Sequence, residues 1–221
     1  MTGKCEWATY PRLLERSFFE RTKALYELEE ALGTPIQDSM HWTRRFEYPW
    51  IIGKLQDRVE PTKTLLDVGA GATALQFLLS DLGQRVHSVD PDPAAVDWIR
   101  ERGWKREPEE RVVLTNRYQL PSLPFRDAQF DTSICVSVLE HLPKDQVLPS
   151  IQELLRVSRK EVLITMDVVL GTRHPTQMDQ SDFNQHMQTL KVEIPEPSHR
   201  ITFQMDGYLF GVACLKLSVD S

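Results

Sequence analysis

One stretch constrains this chain more than any other. Thr64–Val68 is a short apolar run; it opens into Gly69-Ala70-Gly71 and then into a helical stretch, Thr73–Leu82. Strand, glycine turn and helix make the unit from which parallel sheets are built, because a parallel neighbour can be reached only through a crossover. Gly69 and Gly71 leave room for a ligand against the backbone, and the helix N-terminus presents free N–H groups and a favourable dipole to an anionic group. In a doubly wound sheet this turn also sits at the crevice where ligands bind.

The pattern repeats downstream. Arg85–Val89 is a second apolar run ending in Asp90, followed by a helical Ala94–Arg102. Val112–Thr115, Thr132–Val136 and Val162–Met166 are further strand candidates, the last two separated by a helical Lys144–Ser158. This alternation predicts an α/β domain over residues 61–221, its parallel sheet covered by helices on both faces. Ile201–Met205 and Tyr208–Leu217 flank Asp206-Gly207, a two-residue hairpin signal.

Residues 1–60 read as an N-terminal helical extension. Leu14, Phe18, Leu25, Leu28 and Leu32 recur at helical spacing and stop near Gly33. A second helix is expected over Ser39–Val59, with Pro49 kinking or breaking it. Its aromatic density (Trp42, Phe46, Tyr48 and Trp50) suits either plain core or a cap over a pocket.

Bulk properties narrow the function. The chain has 221 residues, enough for one α/β domain and a modest extension, and its formal charge of -6 argues against broad phosphate-backbone binding. Aromatics interleaved with Arg44 and Arg45 would suit single-stranded nucleic acid, but the acidic whole disfavours it. No apolar run approaches a membrane span, and no secretory leader is expected. Three widely spaced cysteines, Cys5, Cys135 and Cys214, suggest neither a disulfide framework nor a zinc cluster, and a reducing cytoplasm is the expected compartment.

Asp90 lies 21 residues after Gly69, where a ribose-binding acid would sit, and Gly69-x-Gly71-x-x-Ala74 satisfies a relaxed dinucleotide fingerprint. The stretch LLDVGAGATALQFLLSDLGQRVHSVDPDP, with the acidic Asp67 two positions before the first glycine, resembles the cofactor-binding half of the class I S-adenosylmethionine-dependent methyltransferases. LPFRDAQFDTSICVSVLEHLP resembles the LPF…FD…EH pattern of their type 11 subgroup. The resemblance covers roughly residues 64–167. It implies a Rossmann-like, doubly wound, seven-stranded sheet with an antiparallel last strand, and S-adenosyl-L-methionine as cofactor. By the same resemblance Asp67, Gly69 and Gly71 border the methionine and ribose, Asp90 accepts the ribose hydroxyls, Pro91 packs beside the adenine, and Ser137 joins the cofactor site. One departure stands out. The family's Gly-Asp-Ala-like segment before LPF is replaced by Thr115-Asn116-Arg117-Tyr118-Gln119, leaving Asn116 and Gln119 as alternative adenine contacts.

Methyl transfer from a sulfonium needs mainly alignment of the nucleophile with the departing sulfur. A hydroxyl or ammonium acceptor also needs a base, and His141, after the fourth strand, is the candidate. Glu140 either binds acceptor or orients the loop. Trp42, Arg45, Tyr48 and Trp50 are the candidate acceptor wall. His174, Asp179, Asp182 and His186 match no metal-ligand spacing and read as solvated polar residues. A small-molecule methyltransferase is the leading reading. A nicotinamide-dependent oxidoreductase is disfavoured by Asp67, and a cofactor-binding protein without turnover stays open. Acceptor, methylated atom and oligomeric state are not encoded in any motif.

Overall fold

A computed structural model describes residues 2–33, 43–56, 64–103, 113–195 and 200–219. Strand β1 (Thr2–Trp7) is followed by helices α1 (Tyr10–Leu13), α2 (Arg16–Leu32) and α3 (Arg44–Gln56). The alternating region follows: β2 (Thr64–Val68), α4 (Leu75–Asp81), β3 (Arg85–Val89), α5 (Pro93–Gly103), β4 (Val113–Asn116) and β5 (Phe130–Val136). After a 3-10 turn at Leu139–His141 come α6 (Lys144–Val157), β6 (Ser158–Leu170) and α7 (Gln180–Thr189). The chain then forms β7 (Val192–Glu193), β8 (Thr202–Met205) and β9 (Tyr208–Ser218).

Among the described residues, all nine strands join one sheet in the order β4-β3-β2-β5-β6-β9-β1-β7, with β8 paired to β9. The pairs β4–β3, β3–β2, β2–β5 and β5–β6 are parallel. The chain moves outward from β2 to β4, then returns to place β5 on the other side of β2. That reversal opens a crevice at the carboxyl ends of β2 and β5. Strand β9 runs antiparallel to β6 over ten residue pairs, as expected for the last strand.

Both sheet faces are covered, and the strands show it residue by residue. Leu65, Ile134, Val136, Leu163, Val212 and Cys214 pack on the α2–α5 side with Phe18, Phe46, Trp50 and Phe77. Their neighbours Leu66, Cys135, Ile164, Ala213 and Leu215 face α6 and α7, meeting Val147, Ile151, Leu154 and Phe183. This is the period-2 alternation of strands buried on both faces.

Two expectations change. Among the described residues the sheet has nine strands rather than seven: β7 is a short addition, and the N-terminal residues are not helical throughout, since β1 lies between β9 and β7, antiparallel to the first and parallel to the second. Its polar sequence, Thr-Gly-Lys-Cys-Glu-Trp, hides a strand that buries Cys5 and Trp7 on one face. Pro49 neither breaks nor ends α3. Its missing N–H costs one bond to the Arg45 carbonyl, and burial of Phe46, Trp50, Ile51 and Leu55 compensates. The outer parts of the expected Ser39–Val59 helix, Trp42 included, lie outside the described residues. The hairpin forms as expected, with Met205 opposite Tyr208 across the Asp206-Gly207 turn.

Candidate active site

Two loops meet at the crevice. The first leaves β2. The Gly69 and Ala70 N–H groups donate to the Val89 carbonyl, tying the turn to the end of β3. Gly69 and Gly71 adopt φ of 72° and 57°, the left-handed region that L side chains avoid. A Cβ on Gly69 would lie 2.3 Å from Cγ2 of Val138, whereas one on Gly71 would meet only Thr73 at 3.6 Å. The first glycine therefore lets two loops close together, and the second leaves its outer side open to a ligand.

Asp90 holds this cradle. Its Oδ2 accepts from the Gly71 N–H at 2.9 Å and its Oδ1 from the Asp92 N–H at 2.8 Å. Each carboxylate oxygen keeps a further lone pair. The Asp90 N–H donates to the Asn116 carbonyl at 3.3 Å, setting Asn116 beside it at the end of β4. The Asn116 side chain is 2.7 Å from the His87 ring, and Arg117 donates to the Pro91 carbonyl at 2.9 Å. Gln119 is exposed and bridges to Ser122. Of the two alternative adenine contacts, it is Asn116 that is bonded to Asp90.

Asp67, at the end of β2, is 3% exposed, and its Oδ2 meets no donor among the described residues. Burial, with the Asp90 charge nearby, pushes its pKa up to about 7 against the pull of Arg44. Such a carboxylate suits a cationic ligand group.

The second loop leaves β5. Ser137 has φ of 48°, its N–H donates to the Thr165 carbonyl, and its Oγ donates to Oε1 of Glu47 at 2.6 Å. Thr165 donates to the same oxygen at 2.7 Å. Glu47, fully buried on α3, thus fixes the carboxyl ends of β5 and β6. Arg44, one turn earlier, lies 3.4 Å from Oε2 of Glu47 and 3.3 Å from the Val136 carbonyl, with its guanidinium over the Tyr48 ring. Burial raises the Tyr48 pKa, against the pull of Arg44 and of Thr73 beside the glycine loop. Burial alone would lower the Arg44 pKa, but Tyr48, Glu47, Glu140 and Asp167 raise it.

The 3-10 turn after Ser137 separates its two polar side chains. Glu140 is buried, and its Oε2 is without a partner among the described residues. Burial and the Asp167 and Glu47 charges hold it well above the usual carboxylate range. His141 is exposed; what burial its ring has, with the Arg44 charge, lowers its pKa and favours the neutral imidazole.

The wall expected from α3 divides. Tyr48 joins the site. Trp50 is 1% exposed, with its indole N–H 3.4 Å from Glu6 and Lys54 over its ring, so it belongs to the core against β1. Arg45 points to solvent, about 100° around the helix from Arg44. Trp42 lies outside the described residues. Sequence reasoning missed Arg44, Glu47, Thr165 and Asp167. The spacing of Arg44, Glu47 and Tyr48 at i, i+3 and i+4 was the available signal for a shared face. On the far loop, Asp179 and Asp182 are engaged by Lys144 and Arg173, and His174 accepts from the Thr176 and Gln177 N–H groups. No group of three or more metal-ligating side chains occurs among the described residues.

Residues 66–166 match the family model described as a methyltransferase domain. Over these residues the chain is similar to the class I S-adenosylmethionine-dependent methyltransferases. The match begins in β2 and ends in β6, so both loops of the crevice lie inside the matched residues. Solved structures share the fold at low identity. Magnesium protoporphyrin IX methyltransferase from Synechocystis PCC 6803 with bound S-adenosylmethionine is 15% identical at a TM-score of 0.60, over 93% of this chain and 98% of that one. The YcgJ protein from Bacillus subtilis is 14% identical at 0.62, over 79% and 98%. Geranyl diphosphate methyltransferase with bound S-adenosylmethionine is 14% identical at 0.59, over 86% and 95%. No curated protein matches the chain. Among the described residues no helix is long and apolar enough to cross a membrane.

Proposed function

We propose that this methyltransferase acts on a small-molecule acceptor held between the Ser137–His141 loop and the first turns of α3. The observation that carries the reading is the Gly71–Asp90 contact at the carboxyl ends of β2 and β3. It fixes a carboxylate with spare lone pairs beside an open glycine. Asp90 takes the ribose hydroxyls of the cofactor, Asn116 and Pro91 border the adenine, and Gly69 and Gly71 line the methionine and ribose. The cofactor's ammonium offsets the charge of Asp67, and Ser137 closes the second loop on it. Neighbours that methylate a porphyrin or geranyl diphosphate support a small acceptor. The buried, unpaired cysteines support a reducing compartment such as the cytoplasm. Residues 1–60 serve as the cap, with β1 anchoring them in the sheet.

The cofactor supplies an activated methyl. Asp67 and Ser137 would hold its methionine end so that this methyl faces an acceptor in the crevice. His141, kept neutral, takes the proton that the acceptor loses. Incubation with labelled S-adenosylmethionine and a small-molecule extract should give labelled small products. His141→Ala should lower kcat by about 10²–10⁴-fold at nearly unchanged cofactor affinity. Label incorporated only into macromolecules would contradict the acceptor class, and an unchanged kcat would remove His141 from the chemistry.

A further inference from the structure

Charge around the second loop is out of balance. Among the described residues, Arg44 is the cation that faces this cluster, and its contacts go to Glu47, the Val136 carbonyl and the Tyr48 ring. Glu47 is fully satisfied, since Ser137, Thr165 and Arg44 all meet it. Glu140 and Asp167 feel the Arg44 charge without a hydrogen bond to it. Oε2 of Glu140 and Oδ1 of Asp167 each lack a donor among the described residues, although Glu140 is only 8% exposed. An unpaired buried acceptor is costly, and more so when charged. A fold keeps them where a ligand completes them.

Their placement says which ligand. Asp167 stands two residues beyond Thr165 on β6, on the same sheet face, under the start of α3. Glu140 follows Ser137 by one short turn. Both therefore belong to the β5–β6 side of the crevice, whereas Asp67 and Asp90 belong to the β2–β3 side that takes the cofactor. Aliphatic or phenolic hydroxyls offer one donor and phosphates offer none, so neither answers two carboxylates. An ammonium offers three donors and a positive charge.

We propose that Glu140 and Asp167 form an anionic acceptor subsite, and that the acceptor is an amine bound as its ammonium beside the transferable methyl. This rests on the methyltransferase reading above. The ammonium gives one proton to His141, and the freed nitrogen lone pair attacks the methyl carbon. The C–S bond breaks toward sulfur, leaving the neutral thioether S-adenosylhomocysteine and an N-methylammonium. The carboxylates hold that product cation, and the imidazolium returns its proton to water.

Sinefungin tests the subsite whatever carbon skeleton the acceptor has. It puts a carbon in place of the sulfonium sulfur and an ammonium in place of the methyl, aimed at the acceptor side. By calorimetry, sinefungin should bind the wild-type protein at least about tenfold more tightly than S-adenosylhomocysteine, as a charged hydrogen bond requires. Glu140→Gln with Asp167→Asn should abolish that preference while S-adenosylhomocysteine affinity stays within about threefold, which also reports an intact fold. Where a labelled product forms from an extract, its methyl should sit on nitrogen by carbon-13 NMR. A preference that is absent in the wild type or survives the double substitution overturns the subsite, and so does a methyl found on oxygen or carbon. If neither ligand binds the wild type, the cofactor reading itself fails and takes this proposal with it.

Discussion

Adjacent residues in this chain do opposite work, and helix geometry decides which. Arg44 and Arg45 are neighbours, yet one is clasped in the crevice and the other is solvated. The two glycines differ in the same way. Gly69→Ala must adopt a positive φ and also push a Cβ into Val138, so it should destabilise the fold by about 2–4 kcal/mol in urea denaturation. Gly71→Ala has space in the protein, so it should cost only about 1–2 kcal/mol of stability while weakening S-adenosylhomocysteine binding the more. Equal stability loss at both positions would contradict this division. Asp67 and Asp167 make a pH prediction. Each is raised from 3.8 to about 7 by burial, Asp67 beside the Asp90 charge and Asp167 beside that of Glu47. A folded carboxyl with a raised pKa stabilises below its unfolded pKa and loses that contribution as pH climbs through the folded value. The Tm of the free protein should therefore fall as pH rises from about 4 to about 8. S-adenosylhomocysteine should reduce the fall, because its ammonium favours ionised Asp67. A Tm that rises over that range would show the two carboxyls to be charged and satisfied.

Elements carry the signals that the sequence showed clearly, and they also hide what it did not. Strands β2 and β3 are legible to the residue, because both are apolar runs closed by a glycine or an aspartate. The β8–β9 hairpin is legible from two turn residues. Strand β1 is not, since its burial alternates behind lysine and glutamate, and its partner β9 lies at the opposite end of the chain. Helix α3 shows why the site was only half visible. Buried on nearly every side, it has no amphipathic stripe to separate core from pocket, and its aromatics read alike in sequence. Only packing distinguishes Tyr48, over which Arg44 lies, from Trp50, which meets Glu6 and Lys54. Trp50→Ala should consequently cost about 3–5 kcal/mol of stability, read by denaturation, and leave the KM for acceptor nearly unchanged. A stable variant with a raised KM would return Trp50 to the acceptor wall.

At the scale of the whole molecule, the reversal of strand order between β2 and β5 brings the pieces together. It sets the glycine loop, Asp90, Ser137 and Glu140 along one crevice, although they are far apart in sequence. The α2–α3 pair then lays Arg44, Glu47 and Tyr48 over it from the N-terminal part of the chain. The central claim is that this crevice holds S-adenosylmethionine through Asp90. Its most direct test is calorimetric titration of S-adenosylhomocysteine into the wild-type protein and Asp90→Ala, with NAD as the competing ligand. The wild type should bind S-adenosylhomocysteine and not NAD. The variant should bind at least about tenfold more weakly, as loss of a charge-assisted contact worth about 1.5–3 kcal/mol requires. Equal affinity in the two proteins, or binding of NAD in its place, would contradict the account.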